Sequence, residues 1–565
     1  MKTKILYLLL FILGSTSFVV AQDQGQNEET DYGRFSGALN LNANVFLRDS
    51  LIGAFNIPQY DNELFGAEAW LDLNYSQYGF DLGLRFDMFN NSNLRNPNAS
   101  FSAEGIGAWF VRKKIGKLGF TVGSIYDQIG TGIIFRSFEQ RPLLIDNALI
   151  GAMVTYDFSE NWQIKGFSGR QKNIFEVRTG ILKGVNLEGF YKPKEGKVSF
   201  APGIGFVNRT LGEETVEKLR GIFKGYGEDQ RSKIQYNNYM GSVYNTLNAG
   251  KFVWYVEAAL KSSDIFFSPI DTLVAFDGTS VLGKYVKKPG NVIYTSLSYA
   301  TKGFGITLEA KRTENFNIRT DPTLTQIQGL VNFLPPMTRQ NAYRLTTRYA
   351  PATNDLSEQA LQADITYAFN RKTALNVNIS HITDLDGNPL YKEFYSEFSY
   401  KYKRDWLVKT GVQLQQYNQE VYEVKPEAPL VETVVPYIDF LYKFNRKRSL
   451  RTELQYMFTG DDVKAGTKQD YGDWFYAQLE YSMVPNWTFT ISDMYNISPG
   501  KNSPTGENGE KLALHYPRLD VFYTHHSNRF SLSYVKQVEG IVCTGGICRL
   551  EPAFSGFRFG LSSTF

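Results

Sequence analysis

The sequence predicts an all-β fold: a transmembrane antiparallel β-barrel of about 24 strands, within a range of about 22 to 26. Three observations support this prediction: an N-terminal secretion signal, polar and apolar residues that alternate along the chain, and a final strand that ends on Phe565. After the first 21 residues, no apolar run approaches the ~18–20 residues that a spanning helix needs. Such a chain can cross a membrane only as a closed barrel.

The N-terminus has the composition of a secretory signal peptide. Lys2 and Lys4 precede an apolar stretch at 5–13, and small residues lead to a predicted cleavage site after Ala21. We therefore divide the chain into a signal peptide (1–21), a short polar tail (22–33) and a single barrel domain (34–565). Secretion places the mature chain outside the reducing cytoplasm, and we expect it in the outer membrane.

Composition agrees with a barrel that has one face in lipid and one in water. Aromatic residues make up 15% of the chain, yet the mean hydropathy is only −0.30. Barrel strands have a polar mean hydropathy because half of the residues in each strand line the lumen. The 60 basic residues nearly balance the 57 acidic ones, so the charge gives no indication of nucleic-acid binding.

The last strand carries a pattern typical of outer-membrane barrels. Phe557, Phe559, Leu561 and Phe565 share one face, whereas the alternate positions are mostly small or polar. We interpret these four residues as the signal that the barrel-assembly machinery recognises during insertion. The expected partners are therefore that machinery, outer-membrane lipid and, as an open possibility, other outer-membrane subunits.

Connections between the predicted strands alternate between short turns, assigned to the periplasm, and long outer loops. The segment 340–350 alternates like a strand but would give an odd count, so we interpret it as strand-like structure inside the loop 315–358. The predicted outer loops are 49–62, 91–103, 127–147, 172–182, 209–233, 262–289, 315–358, 383–392, 418–432, 460–472, 498–514 and 539–553.

Charged residues on the predicted lumen face include both signs in similar numbers. This balance fits either a water-filled channel without strong selectivity or a lumen crossed by ion pairs and filled by loops. The loop 127–147 is the best candidate for a plug, and packing across the barrel mouth is the alternative. The candidate constriction residues are Arg85, Asp87, Arg136 and Arg141.

Two cysteines, Cys543 and Cys548, flank a Thr-Gly-Gly-Ile turn in the last outer loop. In an oxidising compartment they should form a disulfide. A metal site is the alternative, but it would need further ligands that do not lie nearby in the sequence. No cofactor motif or catalytic residue is expected, because His525, His526 and Ser527 lie in a tight periplasmic turn that cannot direct them at one substrate.

The segments YVKQVEGIVCTGGICRLEPAFSGFRFGLSSTF and FEQRPLLIDNALIGAMVTYDF resemble an uncharacterised family of outer-membrane barrels from the Bacteroidota. The resemblance implies the fold and the compartment, and it transfers no catalytic residue. The favoured function is a channel or transporter for small polar solutes. The alternative is a non-transporting structural subunit of a larger outer-membrane assembly, in secretion or barrel insertion. A lipid hydrolase in the outer leaflet is a third, weaker hypothesis.

Overall fold

The structure is a computed structural model that describes residues 33–194, 196–325, 328–352, 356–544 and 547–565. The predicted signal peptide and residues 22–32 of the polar tail lie outside the described residues. No helix among the described residues is long and apolar enough to cross a membrane.

Twenty-four antiparallel strands form one closed sheet, which confirms the predicted fold class and strand count. Each strand pairs with its neighbours in the chain, and the first strand closes the barrel by pairing with the last, with Leu41 opposite Leu561 and Val45 opposite Phe557. The barrel strands, numbered β1 to β24, are Arg34–Phe46, Phe65–Gln77, Phe80–Ser92, Phe101–Ile115, Leu118–Ile125, Leu149–Ser159, Trp162–Asn173, Glu176–Gly189, Val198–Thr210, Asn237–Ala249, Phe252–Val274, Ser280–Thr301, Phe304–Glu314, Glu358–Ala368, Thr373–Asp384, Pro389–Tyr402, Trp406–Asn418, Leu430–Lys443, Arg448–Thr459, Gly472–Met483, Trp487–Pro499, His515–His525, Asn528–Gln537 and Phe554–Thr564.

Side chains alternate between a lipid-facing surface and the lumen. On β21, Trp487, Phe489 and Ile491 are exposed, whereas Met494 and Asn496 on the opposite face are buried. The same outward apolar positions recur around the barrel, including Phe86, Ile293 and Leu532. A continuous apolar belt of this size is stable only against lipid. The protein is therefore an outer-membrane type of β-barrel.

Connections at one end of the barrel are mostly two to four residues long, and those at the other end include all the long loops. Barrels of this type have short turns in the periplasm and long loops outside the cell, which orients the molecule. Two helices lie in outer loops: α1, Glu213–Lys224, and α2, Gln419–Tyr422. The α1 helix packs Val216, Leu219 and Phe223 against Ile265 on β11.

Three predicted outer loops are wrong in extent. The segments 172–182, 262–289 and 383–392 are mostly strand, and their turns contain only residues 174–175, 275–279 and 385–388. The strands β11 and β12 have 23 and 22 residues, about twice what is needed to span the bilayer, so this hairpin continues into the aqueous phase. The interpretation of 340–350 as strand-like is also wrong, because the segment forms turns, although it does lie within an outer connection.

Phe565 lies at the seam between the first and last strands. Its backbone N–H donates to the Gly37 carbonyl at 2.9 Å, and its own carbonyl accepts from the Gly37 N–H at 2.8 Å. The Phe565 ring covers Gly37 so closely that a Cβ at residue 37 would lie 2.5 Å from it. Phe557, Phe559 and Phe565 are exposed on the lipid face. Their role as an insertion signal stays a prediction.

We expect Phe565→Asp to slow assembly more than it destabilises the folded barrel. A carboxylate on the lipid face near an interface costs about 1 kcal/mol or less. The measurement is the fraction of heat-modifiable protein in the outer membrane, which should fall while degraded protein rises. Thr564→Asp is the matched control, because it adds the same charge one residue away, on the lumen face. Equal assembly of the two variants would refute the insertion signal.

Candidate functional site in the lumen

Two outer connections fold back into the barrel and fill much of its lumen. The first inward loop comprises residues 126–148, and the second inward loop comprises residues 315–357. They contact each other through the Arg136 N–H, which donates to the Val331 carbonyl at 2.8 Å, and through the Phe333 N–H, which donates to the Gly132 carbonyl at 2.9 Å. The lumen is therefore packed, and not an empty cylinder.

The apex of the first inward loop is apolar and fully buried. Ile129, Ile133 and Ile134 have no exposed surface, and Phe135 stacks on Phe167 of β7 at a ring distance of 4.5 Å. Such residues are unsuited to a solvated loop, which is why the sequence favoured either a plug or packing across the barrel mouth for this segment. The packing here is against the barrel wall, so the loop reaches well below the outer mouth.

Polar groups at the apex also bond to the wall. The Thr131 N–H and hydroxyl both donate to Glu257 of β11, at 2.9 and 2.6 Å. Gly130 next to it has a φ of +56°, and a Cβ there would lie 2.6 Å from the Glu257 carboxylate. Glycine is required because it adopts this conformation freely and leaves room for the carboxylate.

An ion-pair network joins the first inward loop to strands β2, β3 and β7. Arg85 contacts Asp87 at 2.6 Å, and also reaches Glu139 at 2.7 Å and Asp146 at 2.6 Å in the loop. Glu139 and Asp146 are bound again by other cations: Arg141 contacts Glu139 and also Asp72 of β2, while Lys172 of β7 pairs with Asp146. Buried charges are tolerated only when they are paired in this way.

Arg85, Asp87 and Arg141, three of the predicted constriction residues, thus meet in one network. Arg136 does not take part. Its guanidinium lies over the rings of Phe138 and Phe333, at 4.8 and 4.2 Å, where the two inward loops touch.

Several partners of these residues were not identified from the sequence. Glu139 and Asp146 lie in the first inward loop. Their negative charge, opposite to that of Arg141, was the one feature of the sequence that could have predicted their pairing with these arginines. Gly107 on β4 had no such signal: the Asp87 carboxylate occupies the position of its missing Cβ, at 2.0 Å.

The second inward loop is held on the opposite side of the lumen by hydrogen bonds to the wall. The Leu345 N–H donates to Gln455 at 2.8 Å, and Gln415 donates to the Tyr349 carbonyl at 2.7 Å. The Tyr349 hydroxyl donates to Asp470 of an outer loop at 2.6 Å. Burial alone would raise the pKa of Asp470, but the charges of Arg348 and Lys425 hold that pKa below its usual value.

Cavities lie on both sides of the first inward loop. An outer vestibule of about 850 Å³ is lined by the loop 93–100, by Glu139–Asn147 of the loop and by Gln171–Ile174 with Arg178. A central cavity of about 410 Å³ is lined by Tyr126–Gln128 and Arg136–Glu139. A periplasmic vestibule of about 850 Å³ is lined by Lys165, Glu188 and the turn at 159–161.

These three cavities lie in series. Glu139 lines both the outer vestibule and the central cavity, and Asp127 and Gln128 line both the central cavity and the periplasmic vestibule. Neighbouring cavities thus adjoin along the first inward loop, from the outer vestibule past the ion-pair network to the periplasmic vestibule.

Metal chemistry finds no support among the residues that the structure describes, because no group of three or more His, Cys, Asp or Glu side chains could hold an ion. The side chains of Cys543 and Cys548 lie outside the described part. The backbone places these two residues directly opposite each other in the hairpin formed by Gly540–Thr544 and Ile547–Glu551.

A family model matches residues 1–565 of the chain. The chain belongs to DUF6029, a family of unknown function. Curated protein sequences give no match to the DUF6029 chain.

Solved structures similar to the DUF6029 chain include several large barrels. The P pilus usher (PapC) translocation pore is 10% identical, with a TM-score of 0.37, covering 94% of this chain and 99% of its own. The ferric enterobactin receptor (PfeA) is 8% identical, with a TM-score of 0.42 and coverage of 94% and 81%. The copper transporter OprC is 9% identical, with a TM-score of 0.40 and coverage of 96% and 82%. At these identities and TM-scores, the similarity says nothing about what this chain binds or transports.

We expect Arg85→Leu to loosen the first inward loop. The substitution leaves Asp87, Glu139 and Asp146 without their shared cation, and breaking a buried pair of this kind costs about 3–5 kcal/mol. The measurement is hydrogen exchange of the amides of 128–147, which should become faster. Lys114→Leu is the control, because its ion pair with Asp157 is exposed and contributes about 0–1 kcal/mol. Unchanged exchange in Arg85→Leu would show that the network does not hold the loop.

Proposed function

We propose that the DUF6029 barrel is a channel that admits small polar solutes through the outer membrane. The observation that carries this proposal is the set of three cavities that adjoin one another along the first inward loop, from the outer vestibule to the periplasmic vestibule. A barrel that served only as a scaffold would not need a cavity at each end and a third cavity that shares lining residues with both.

The lining of the route supports the proposed solute class. At the level of the ion-pair network, Arg85, Glu139 and Arg141 project into it, so a permeating molecule must exchange its water for charged and hydrogen-bonding side chains. Polar solutes can do so, whereas apolar ones cannot. The first inward loop narrows the lumen, which limits the route to small molecules. We propose no catalytic activity and no cofactor.

The alternative is a non-transporting subunit of a larger outer-membrane assembly. One observation favours it: the second inward loop occupies the other side of the lumen and is bonded to Gln415 and Gln455 of the wall and to Asp470. If the first inward loop left no passage beside it, the lumen would be closed. In either case we propose that the assembly machinery inserts the barrel and that residues 1–21 are removed on export.

Conductance in planar bilayers separates the two functions. We expect small, reproducible conductance steps from the purified wild-type barrel, and severalfold larger steps when residues 127–147 are replaced by a four-residue Gly-Ser linker. The linker can close this gap because Ile125 and Leu149 are paired neighbours. The matched control replaces 212–235, which contains α1, with the same linker, since Leu211 and Tyr236 are hydrogen-bonded to each other. It should conduct like the wild type. No conductance from either the wild type or the 127–147 variant would reject the channel.

A disulfide between Cys543 and Cys548 forms part of the proposal. Directly opposed residues in an antiparallel pair have Cα atoms about 4.5–5.5 Å apart, within the range that a disulfide spans. Leu550 of the same hairpin lines both the outer vestibule and a second outer cavity of about 580 Å³ beside the second inward loop. The hairpin therefore lies over the outer mouth of the lumen, where a crosslink would stiffen it.

We expect the double variant Cys543→Ser/Cys548→Ser to assemble normally but to expose its last outer loop. The bridge closes only six residues and contributes roughly 2 kcal/mol, which is small beside the closed barrel. Limited proteolysis of whole cells should cut the variant faster within 538–553, and heat-modifiability should be unchanged. Thiol labelling of the unreduced wild type provides the control. Two reactive thiols there would disprove the bridge, and failure of the variant to assemble would disprove its accessory role.

A further inference from the structure

Two arginines in the outer vestibule, the exposed Arg95 and the half-buried Arg178, differ from the paired cations of the lumen. Arg95, in the loop 93–100, and Arg178, on β8, both line the cavity. Neither forms an ion pair with any residue that the structure describes. Arg95 lies over the Phe101 ring at 5.1 Å, and Arg178 donates one hydrogen bond of 3.2 Å to the Asn173 side chain. The Nε–H of Arg178 is buried and has no acceptor among the residues that the structure describes.

The vestibule consequently has an excess of positive charge. Its basic residues are Arg85, Arg95, Arg141, Lys172 and Arg178. Its acidic residues are Asp87, Glu139 and Asp146. All three acids are already bound by Arg85, Arg141 or Lys172 in the ion-pair network, so none is available to the two remaining guanidinium groups. Outside this lining, the carboxylate of Asp321 is the charge that acts most strongly on Arg178, and the charges of Arg95 and Arg319 oppose it.

One wall of the same cavity is aromatic. Trp70 and Phe89 pack edge to face at 6.0 Å, and Phe89 contacts Phe101 at 5.6 Å. All three rings line the vestibule, together with the amide side chains of Asn96, Asn98 and Gln328. An aromatic wall offers a packing surface to a ring or a hydrocarbon skeleton, and amides offer hydrogen bonds to hydroxyl groups.

We propose that the outer vestibule is a binding site for a small organic anion, whose carboxylate or phosphate group binds Arg95 and Arg178 while its carbon skeleton lies on the aromatic wall. Guanidinium groups bind both kinds of anion through paired hydrogen bonds, and two groups without acid partners are free to do so. A volume of about 850 Å³ suits a solute of up to drug size. This proposal deepens the channel function and rests on it, because it names the class of solute.

The arrangement disfavours the other classes of solute. A cation would meet an excess of like charge, and the carboxylates that could attract it are already paired. A neutral solute could use the aromatic wall and the amides, but it would leave both guanidinium groups unpaired, at a cost in binding free energy. The site therefore discriminates by charge first and by shape second.

The test is calorimetric titration of the purified wild-type barrel in detergent with three anions: glucuronate, benzoate and inorganic phosphate. Glucose is the uncharged counterpart of glucuronate. The variant Arg95→Gln/Arg178→Gln removes the two free guanidinium groups without touching the ion-pair network. The matched control, Lys218→Gln/Lys224→Gln, removes two charges from the exposed surface of α1.

We expect at least one anion to bind the wild type and the α1 control alike, roughly 10- to 100-fold more tightly than it binds the arginine variant. Glucuronate should bind to the wild type more tightly than glucose does. Preference for benzoate and glucuronate assigns the site to carboxylates, and preference for phosphate assigns it to phosphorylated solutes. No binding of any of the three anions, or equal binding by the arginine variant, would overturn the proposal.

Conductance, measured in parallel, keeps this proposal distinct from the channel function. Anion binding by a barrel that never conducts would support the proposed binding site and refute the proposed channel function. Conductance without anion binding would retain the channel and reject the site. The arginine variant should assemble normally, because neither arginine forms an ion pair with a residue of the described ranges.

Discussion

Every backbone N–H and C=O group within the bilayer must find its partner inside the protein, and the rest of this structure depends on that constraint. A closed antiparallel ladder meets it, and the pairing of β1 with β24 completes the closure. Closure in turn fixes the alternation of side chains, since successive residues must face lipid and lumen. The apolar core of a soluble protein is thereby moved to the outside, and the polar half of each strand is enclosed.

A barrel of 24 strands encloses more space than the side chains of its wall can fill, since barrel width grows with strand number. Here the two inward loops fill it. The first does so with an isoleucine-rich apex, and the second does so with tyrosines such as Tyr343 and Tyr349. Burying these loops also buries charge, so Arg85, Arg141 and Lys172 each pair with carboxylates. The network is therefore a consequence of filling a polar lumen, and it connects the loop rigidly to the wall.

The sequence predicted the parts of the fold that the bilayer dictates. Alternation over 80–88 or 487–492 is strict because one face must be apolar and the other polar. Beyond the bilayer neither face of a strand has to be apolar along its whole length, and the alternation no longer marks a strand, so the outer half of β11 and β12 was mistaken for a loop. The segment 340–350 gave the opposite error: Tyr343, Leu345 and Tyr349 alternate because they pack against the lumen wall from the inside.

The candidate site could be predicted only in part, because pairing depends on distance in space. Arg85 and Asp87 are two residues apart and on one face, so their proximity is visible in the sequence. Lys172 and Asp146 meet only because β7 passes beside the first inward loop.

The hairpin of β7 and β8 turns at residues 174–175 and carries both kinds of cation: Lys172, which binds Asp146 of the loop, and Arg178, which forms no ion pair within the described part of the chain. One short hairpin thus holds the first inward loop in place and presents a free guanidinium to the vestibule above it. The paired cations hold the first inward loop rigidly. The unpaired ones are the groups that we propose bind an organic anion.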